Sequence, residues 1–235
     1  MLEELPDLLT PATRQDAIAA LWHGWLAFNG TPPPSKDALW IVAAHWGLET
    51  GWGASMHNWN FGNVKSKEGD GYDYQYYGCG EEVPLATALA WQEKDPGLVK
   101  IRKLYANNKV QMASVWLDPP HWGSRFRAFH TIEEGALDHV TLLARRFPVA
   151  WRAALAKDVI GFAVALRNAG YYTADVGQYM RGLQGCFRLA SLAPVDYASL
   201  PIMLEEAKEG LLNLVSRSIQ GSYDDALQDF DKTET

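Results

Sequence analysis

The strongest chemical signal in the sequence is Glu49, in the stretch ALWIVAAHWGLETGWGASMHNWNFGNVK from Ala38 to Lys65. Leu39, Val42, Ala43 and Trp46 recur at i, i+3, i+4 and i+7, the apolar stripe of a helix that runs to about Thr50. Glu49 lies three residues after Trp46 and seven after Val42, on that stripe. Taking a carboxylate out of water disfavours its ionised form and raises its pKa. The negative end of the helix dipole acts in the same direction. A carboxyl group kept protonated beside tryptophans suits general acid catalysis, as in glycosidic cleavage. Taken alone, a helix-terminal Glu reads more simply as a partly exposed or Arg-paired charge, so its surroundings must decide.

Other chemistries are weaker. His45, His57, His121 and His130 show no HExxH or His/Cys spacing for zinc, so no metal is expected. There is no phosphate-loop or dinucleotide motif, and no organic cofactor is implied. Cys79 sits in a Gly-rich segment with no helix N-terminus to activate a thiolate. With Cys186 it allows one bridge but no disulfide framework. A net charge of −7 disfavours non-specific nucleic-acid binding, which rests on Lys and Arg meeting phosphates. Ten Trp and ten Tyr in 235 residues offer flat faces for sugar rings, although aromatics are also ordinary core material.

These residues need elements to hold them. Thr10-Pro11 reads as a helix start, with Ile18, Leu21, Trp22, Trp25 and Phe28 at helical spacing before Gly30. Ser35 can cap the Glu49 helix, and Gly51 can close it. GDGYDYQYYGCGEEVP reads as a short β-hairpin or small β-lobe. Residues 85–108 look helical but irregular around KDPG, and residues 109–129 give one or two short strands about a proline turn. TIEE is a capping box, with Thr131 as cap and Glu134 reaching back. Helices follow at about Val159–Ala169 and Val176–Leu189, the latter with Tyr179, Leu183 and Phe187 on one side. Leu200 to Val215 carries an amphipathic pattern, before an acidic tail.

Four strings in order resemble the glucosaminidase family of peptidoglycan hydrolases, in the lysozyme-like superfamily. They are Gly47 to Gly53 (GLETGWG), Asn58 to Lys65 (NWNFGNVK), Ser124 to Pro148, and Ala169 to Leu183 (AGYYTADVGQYMRGL). The resemblance spans roughly residues 15–190. It implies Glu49 as the catalytic acid, Asn60 and Phe61 in a turn at the floor of a substrate cleft, and Tyr171 as the cleft tyrosine. GYYTAD has one residue more than the family spacing, which leaves Tyr172 open for that place. The family's second carboxylate lies on the β-lobe; of Glu68, Asp70, Asp73, Glu81 and Glu82, the order of choice is Glu81, then Glu82.

The expected fold is therefore α+β and mainly helical. It has a lysozyme-like domain over residues 1–192 with a small β-hairpin lobe, and a C-terminal helical appendage over 193–235. The expected activity is hydrolysis of peptidoglycan glycan strands, as an endo-N-acetylglucosaminidase or N-acetylmuramidase. Trp52, Trp59, Asn60, Phe61, Tyr172 and Trp122 are expected to flank the sugars. Two alternatives stay open: a lytic transglycosylase with Glu49 as sole acid and base, and a non-catalytic peptidoglycan-binding protein on the same fold. The N-terminus shows no signal-peptide pattern and no stretch reads as a membrane span. The expectation is cytoplasmic synthesis followed by release or delivery to the periplasm or cell wall, with the helix at about 198–219 as a possible contact for a partner or delivery machinery.

Overall fold

The computed structural model describes residues 2–107, 110–172, 174–197 and 200, so the amphipathic pattern beyond Leu200 and the acidic tail lie outside the described residues. In chain order the elements are α1 (Arg14–Asn29), α2 (Lys36–Thr50), β1 (Tyr74–Tyr76), β2 (Cys79–Pro84), α3 (Leu85–Lys94), β3 (Val99–Asn107), β4 (Val110–Leu117), β5 (Arg125–Arg127), α4 (Ile132–Arg146), α5 (Pro148–Leu155), α6 (Val159–Asn168) and α7 (Val176–Ser191). The class is α+β, and most described elements are helices. The chain forms two units: Met1–Asp7 with Val64–Ala128, and Leu8–Asn63 with Phe129–Thr235.

The second unit is helical. Ile18, Leu21, Trp25, Leu39, Val42 and Trp46 are buried, as their spacing requires. Ser35 caps α2 by accepting from the Ala38 amide, and Gly51 closes it in the left-handed region at φ 56°. The start of α1 differs from expectation: Thr13, not Thr10, is the cap. The Thr10 hydroxyl is engaged elsewhere, donating to the Met56 carbonyl at 3.3 Å and accepting from the Trp59 amide at 2.8 Å. Thr131 caps α4 as expected, but Glu134 reaches one residue further back, to the His130 amide at 2.9 Å. After α7 the chain returns to the first helices. Tyr197, beyond the expected boundary at 192, accepts from Trp40 Nε1 at 2.9 Å and packs on Trp22 at 5.6 Å.

The first unit holds the strands. The expected hairpin within GDGYDYQYYGCGEEVP does not form. β1 pairs with β5, whereas β2 pairs with β4 in a three-stranded antiparallel sheet of order β2-β4-β3. The chain parts at Gly78, which lies so flat on Trp116 that a Cβ would sit 2.7 Å from the indole. The hairpin is β3–β4, so the region expected to be irregular helix splits into α3 and a strand. Ala88, Val99, Ala113, Val115 and Leu117 form its small core, with α3 on one face. Among the described residues no helix is long and apolar enough to cross a membrane.

The helical unit leaves little slack where α4 meets the Trp59 turn. A Cβ on Gly135 would sit 1.9 Å from the Trp59 carbonyl oxygen. Gly135→Ala therefore forces backbone apart, and a loss of about 1–3 kcal/mol is expected in equilibrium unfolding. An unchanged denaturation midpoint would mean that this contact is not tight.

Candidate active site

Glu49 sits in the last turn of α2, whose carbonyls lack helical partners. The turn that follows satisfies them. The Trp52 amide closes onto the Gly47 carbonyl at 3.0 Å, and the Ser55 amide onto the Thr50 carbonyl at 3.0 Å. Asn63 Nδ2 donates to the Glu49 carbonyl at 2.6 Å. The Asn58 to Lys65 string thus contributes a backbone lock directly at the acid. Gly47 is needed there, because a Cβ would meet the Trp52 ring at 2.8 Å.

The Glu49 side chain is 22% exposed. The Tyr179 hydroxyl, from α7, donates to Glu49 Oε1 at 2.9 Å. Burial raises the Glu49 pKa from 4.5 to about 7, while the Tyr179 hydrogen bond pulls it down. Desolvation therefore dominates, and near neutrality the group holds its proton about half the time. The same burial, with Glu49 beside it, keeps the Tyr179 hydroxyl protonated. Behind the carboxyl lie two buried histidines, His45 on α2 and His139 on α4, stacked with ring centroids 5.0 Å apart. Burial lowers both pKa values, that of His139 to about 3, so both rings are neutral.

Tyr171 packs its ring 4.8 Å from His45 and donates its hydroxyl to the Gly62 carbonyl at 3.3 Å. Its hydroxyl feels the Glu49 charge. Tyr172 turns away, donating to the Ala163 carbonyl at 3.0 Å, and stacks on Tyr179 at 3.7 Å. Of the two tyrosines in the extended GYYTAD spacing, Tyr171 is the one beside the acid's histidine. Tyr179 was legible only as part of an apolar stripe; a hydroxyl on that stripe was the available signal.

The aromatic and turn residues divide. Asn60 and Phe61 have no exposed surface and shape the turn from inside. Trp52 and Trp59 are partly exposed, both with left-handed backbone. Trp52 meets Trp46 edge-on at 5.4 Å. In the strand-bearing unit Trp122 is 54% exposed and stands edge-on to Trp91 at 5.2 Å. Glu81 and Glu82 alternate on β2 and point to opposite faces. Lys65 Nζ pairs with Glu81 at 2.8 Å, contacts Cys79 Sγ at 3.1 Å and donates to the Gly123 carbonyl. Glu82 instead accepts from the Tyr105 hydroxyl. Cys79 and Cys186 are free thiols. Among the described residues no three His, Cys, Asp or Glu side chains gather as a metal site.

The buried acid makes stability depend on pH. The folded chain keeps the Glu49 proton to about pH 7, whereas the unfolded chain releases it near 4.5. Folding stability is then lost as pH rises through that window, on the order of 3 kcal/mol in all. The histidines act oppositely: the unfolded chain takes their protons below about 6.5, so stability falls toward acid. Glu49→Gln is expected to be more stable than the parent chain at pH 8 and about equal at pH 4, by chemical denaturation. A constant difference across that range would contradict the buried, protonated acid. Tyr179→Phe removes the donor that favours ionisation, so the Glu49 midpoint should move upward in a carbon-13 carboxyl titration.

Neither protein-family profiles nor curated proteins give a match to this chain. Among solved structures, it is similar to the catalytic domain of the autolysin Auto from Listeria monocytogenes, with a TM-score of 0.40 and 14% identity. The alignment covers 79% of this chain and 89% of that one. A likeness at this level carries no weight for function; the side chains around Glu49 have to carry it.

Proposed function

We propose that the chain hydrolyses glycosidic bonds in the glycan strands of peptidoglycan, with Glu49 as general acid. The observation that carries this reading is the Glu49 carboxyl itself: mostly buried, bonded to Tyr179, and raised to a pKa of about 7. A general acid works best when its pKa lies near the working pH. The substrate class rests on the four strings around this acid and on the exposed indole of Trp122.

In this reading Glu49 protonates the leaving glycosidic oxygen and becomes a carboxylate. The Tyr179 hydrogen bond is then to a charged acceptor and strengthens, so it favours the charge-separated state over the resting acid. A second carboxylate orients water or stabilises the oxocarbenium-like state. That role is assigned to Glu81 ahead of Glu82. Glu81 shares Lys65 with the carbonyl of Gly123, the residue after Trp122. Glu82 is engaged with Tyr105 on the opposite face. Trp52 and Trp59 offer partial aromatic faces, and Tyr171 backs the acid through His45.

Digestion of purified peptidoglycan, followed by mass spectrometry, tests this. Glu49→Gln should cut turnover by at least about 100-fold, the low end of what general acid catalysis contributes. Glu81→Gln should cost more activity than Glu82→Gln. Reducing-end N-acetylglucosamine assigns a glucosaminidase, reducing-end N-acetylmuramic acid a muramidase, and anhydro ends a transglycosylase. Unchanged turnover in Glu49→Gln would sink the mechanism.

A further inference from the structure

The two histidines behind Glu49 have four ring nitrogens and, being neutral, two ring protons. His45 Nδ1 and His139 Nε2 lie 3.2 Å apart, so one donates to the other. His139 Nδ1 and His45 Nε2 are both buried without a hydrogen-bond partner. His45 Nε2 lies 3.8 Å from Glu49 Oε1, one helical turn on.

Only two proton arrangements satisfy the His45–His139 contact. If His45 Nδ1 is the donor, His139 must carry its proton on Nδ1, which makes no hydrogen bond. That leaves a buried N–H orphaned, and the bare Nε2 of His45 facing a carboxyl oxygen. If His139 Nε2 is the donor, His139 Nδ1 keeps an unpartnered lone pair, and the His45 Nε2–H has Glu49 Oε1 at 3.8 Å, beyond hydrogen-bond distance but an attractive oxygen for a donor. Orphaned buried N–H groups are rare and costly.

We propose that His45 is a positioning residue for Glu49: His139 fixes its tautomer so that Nε2–H is presented to Glu49 Oε1. This rests on the proposed general acid role of Glu49. Oε1 then faces two donors, the Tyr179 hydroxyl at 2.9 Å and the more distant His45 Nε2–H. With Oε1 so occupied, the acid proton belongs on Oε2, the oxygen left for a leaving group. Once that proton is given up, His45 is placed to tighten on the carboxylate. The other titratable groups packed around this cluster are Tyr171 and Tyr172, after α6, with Arg146 from the end of α4 acting on Tyr171.

Nitrogen-15 spectroscopy of the full chain near pH 7 reads the tautomers directly. Protons on Nε2 of both His45 and His139 support the proposal; a proton on His45 Nδ1 overturns it. The second arm is a carbon-13 titration of Glu49. His45→Phe keeps the aromatic packing and removes the donor, so the midpoint should rise by about one unit. His45→Gln, whose amide can donate, should bring it back toward the parent value. A midpoint unmoved in His45→Phe would mean that the ring only packs. The tautomer measurement needs no variant, so a variant that fails to fold leaves the proposal testable. Neither arm needs a substrate: a failed peptidoglycan digest with the predicted tautomers would overturn the function and not the positioning role.

Discussion

The arrangement depends on one constraint, the burial of a carboxyl group in the last turn of α2. A charged carboxylate there loses most of its hydration, and the Tyr179 hydroxyl replaces part of it at short range. The remaining imbalance is met by protonation, which is why the group titrates at about 7 and not near 4.5. The property that costs stability above neutrality is the same one that makes a proton available for transfer.

Much of the helical unit serves to hold that turn in place. Gly51 and the Trp52 amide stop the helix without leaving carbonyls bare, and Asn63 ties the Glu49 backbone from the following turn. Gly47 and Gly135 are glycines because Trp52 and the Trp59 carbonyl press directly on them. The neutral histidine pair fills the space behind the carboxyl with polar atoms, so its back wall is neither purely apolar nor wet. Each of these contacts is short, and each would be disturbed by a single added methyl or lost amide.

The sequence made local features legible. Ser35, Gly51 and Thr131 act within four residues of themselves, so their roles can be read from neighbours along the chain. Glu49 could be placed on the buried stripe because helical periodicity is also local. What the sequence left open is long-range. Tyr179 lies 130 residues from Glu49, and His139 lies 94 from His45. In the sequence each reads as one more helix residue. The strand pairings failed for the same reason: β1 and β2 are neighbours in sequence but take partners from beyond α3. Asn60 and Phe61 were read into the turn at a cleft floor, and the extent of their burial there follows from packing that the string itself does not display.

The central claim is that Glu49 is a neutral carboxylic acid in the folded chain near neutrality. Infrared difference spectroscopy between about pH 6 and pH 8 tests it most directly, because the two states lie on either side of the midpoint. The account predicts a protonated carboxyl C=O band that is lost on going to pH 8 and is absent from the Glu49→Gln difference spectrum. An identical difference spectrum from the parent chain and Glu49→Gln, with no protonated carboxyl band assignable to Glu49 in the pH 6 spectrum itself, would show that Glu49 is already ionised at pH 6, and would contradict it.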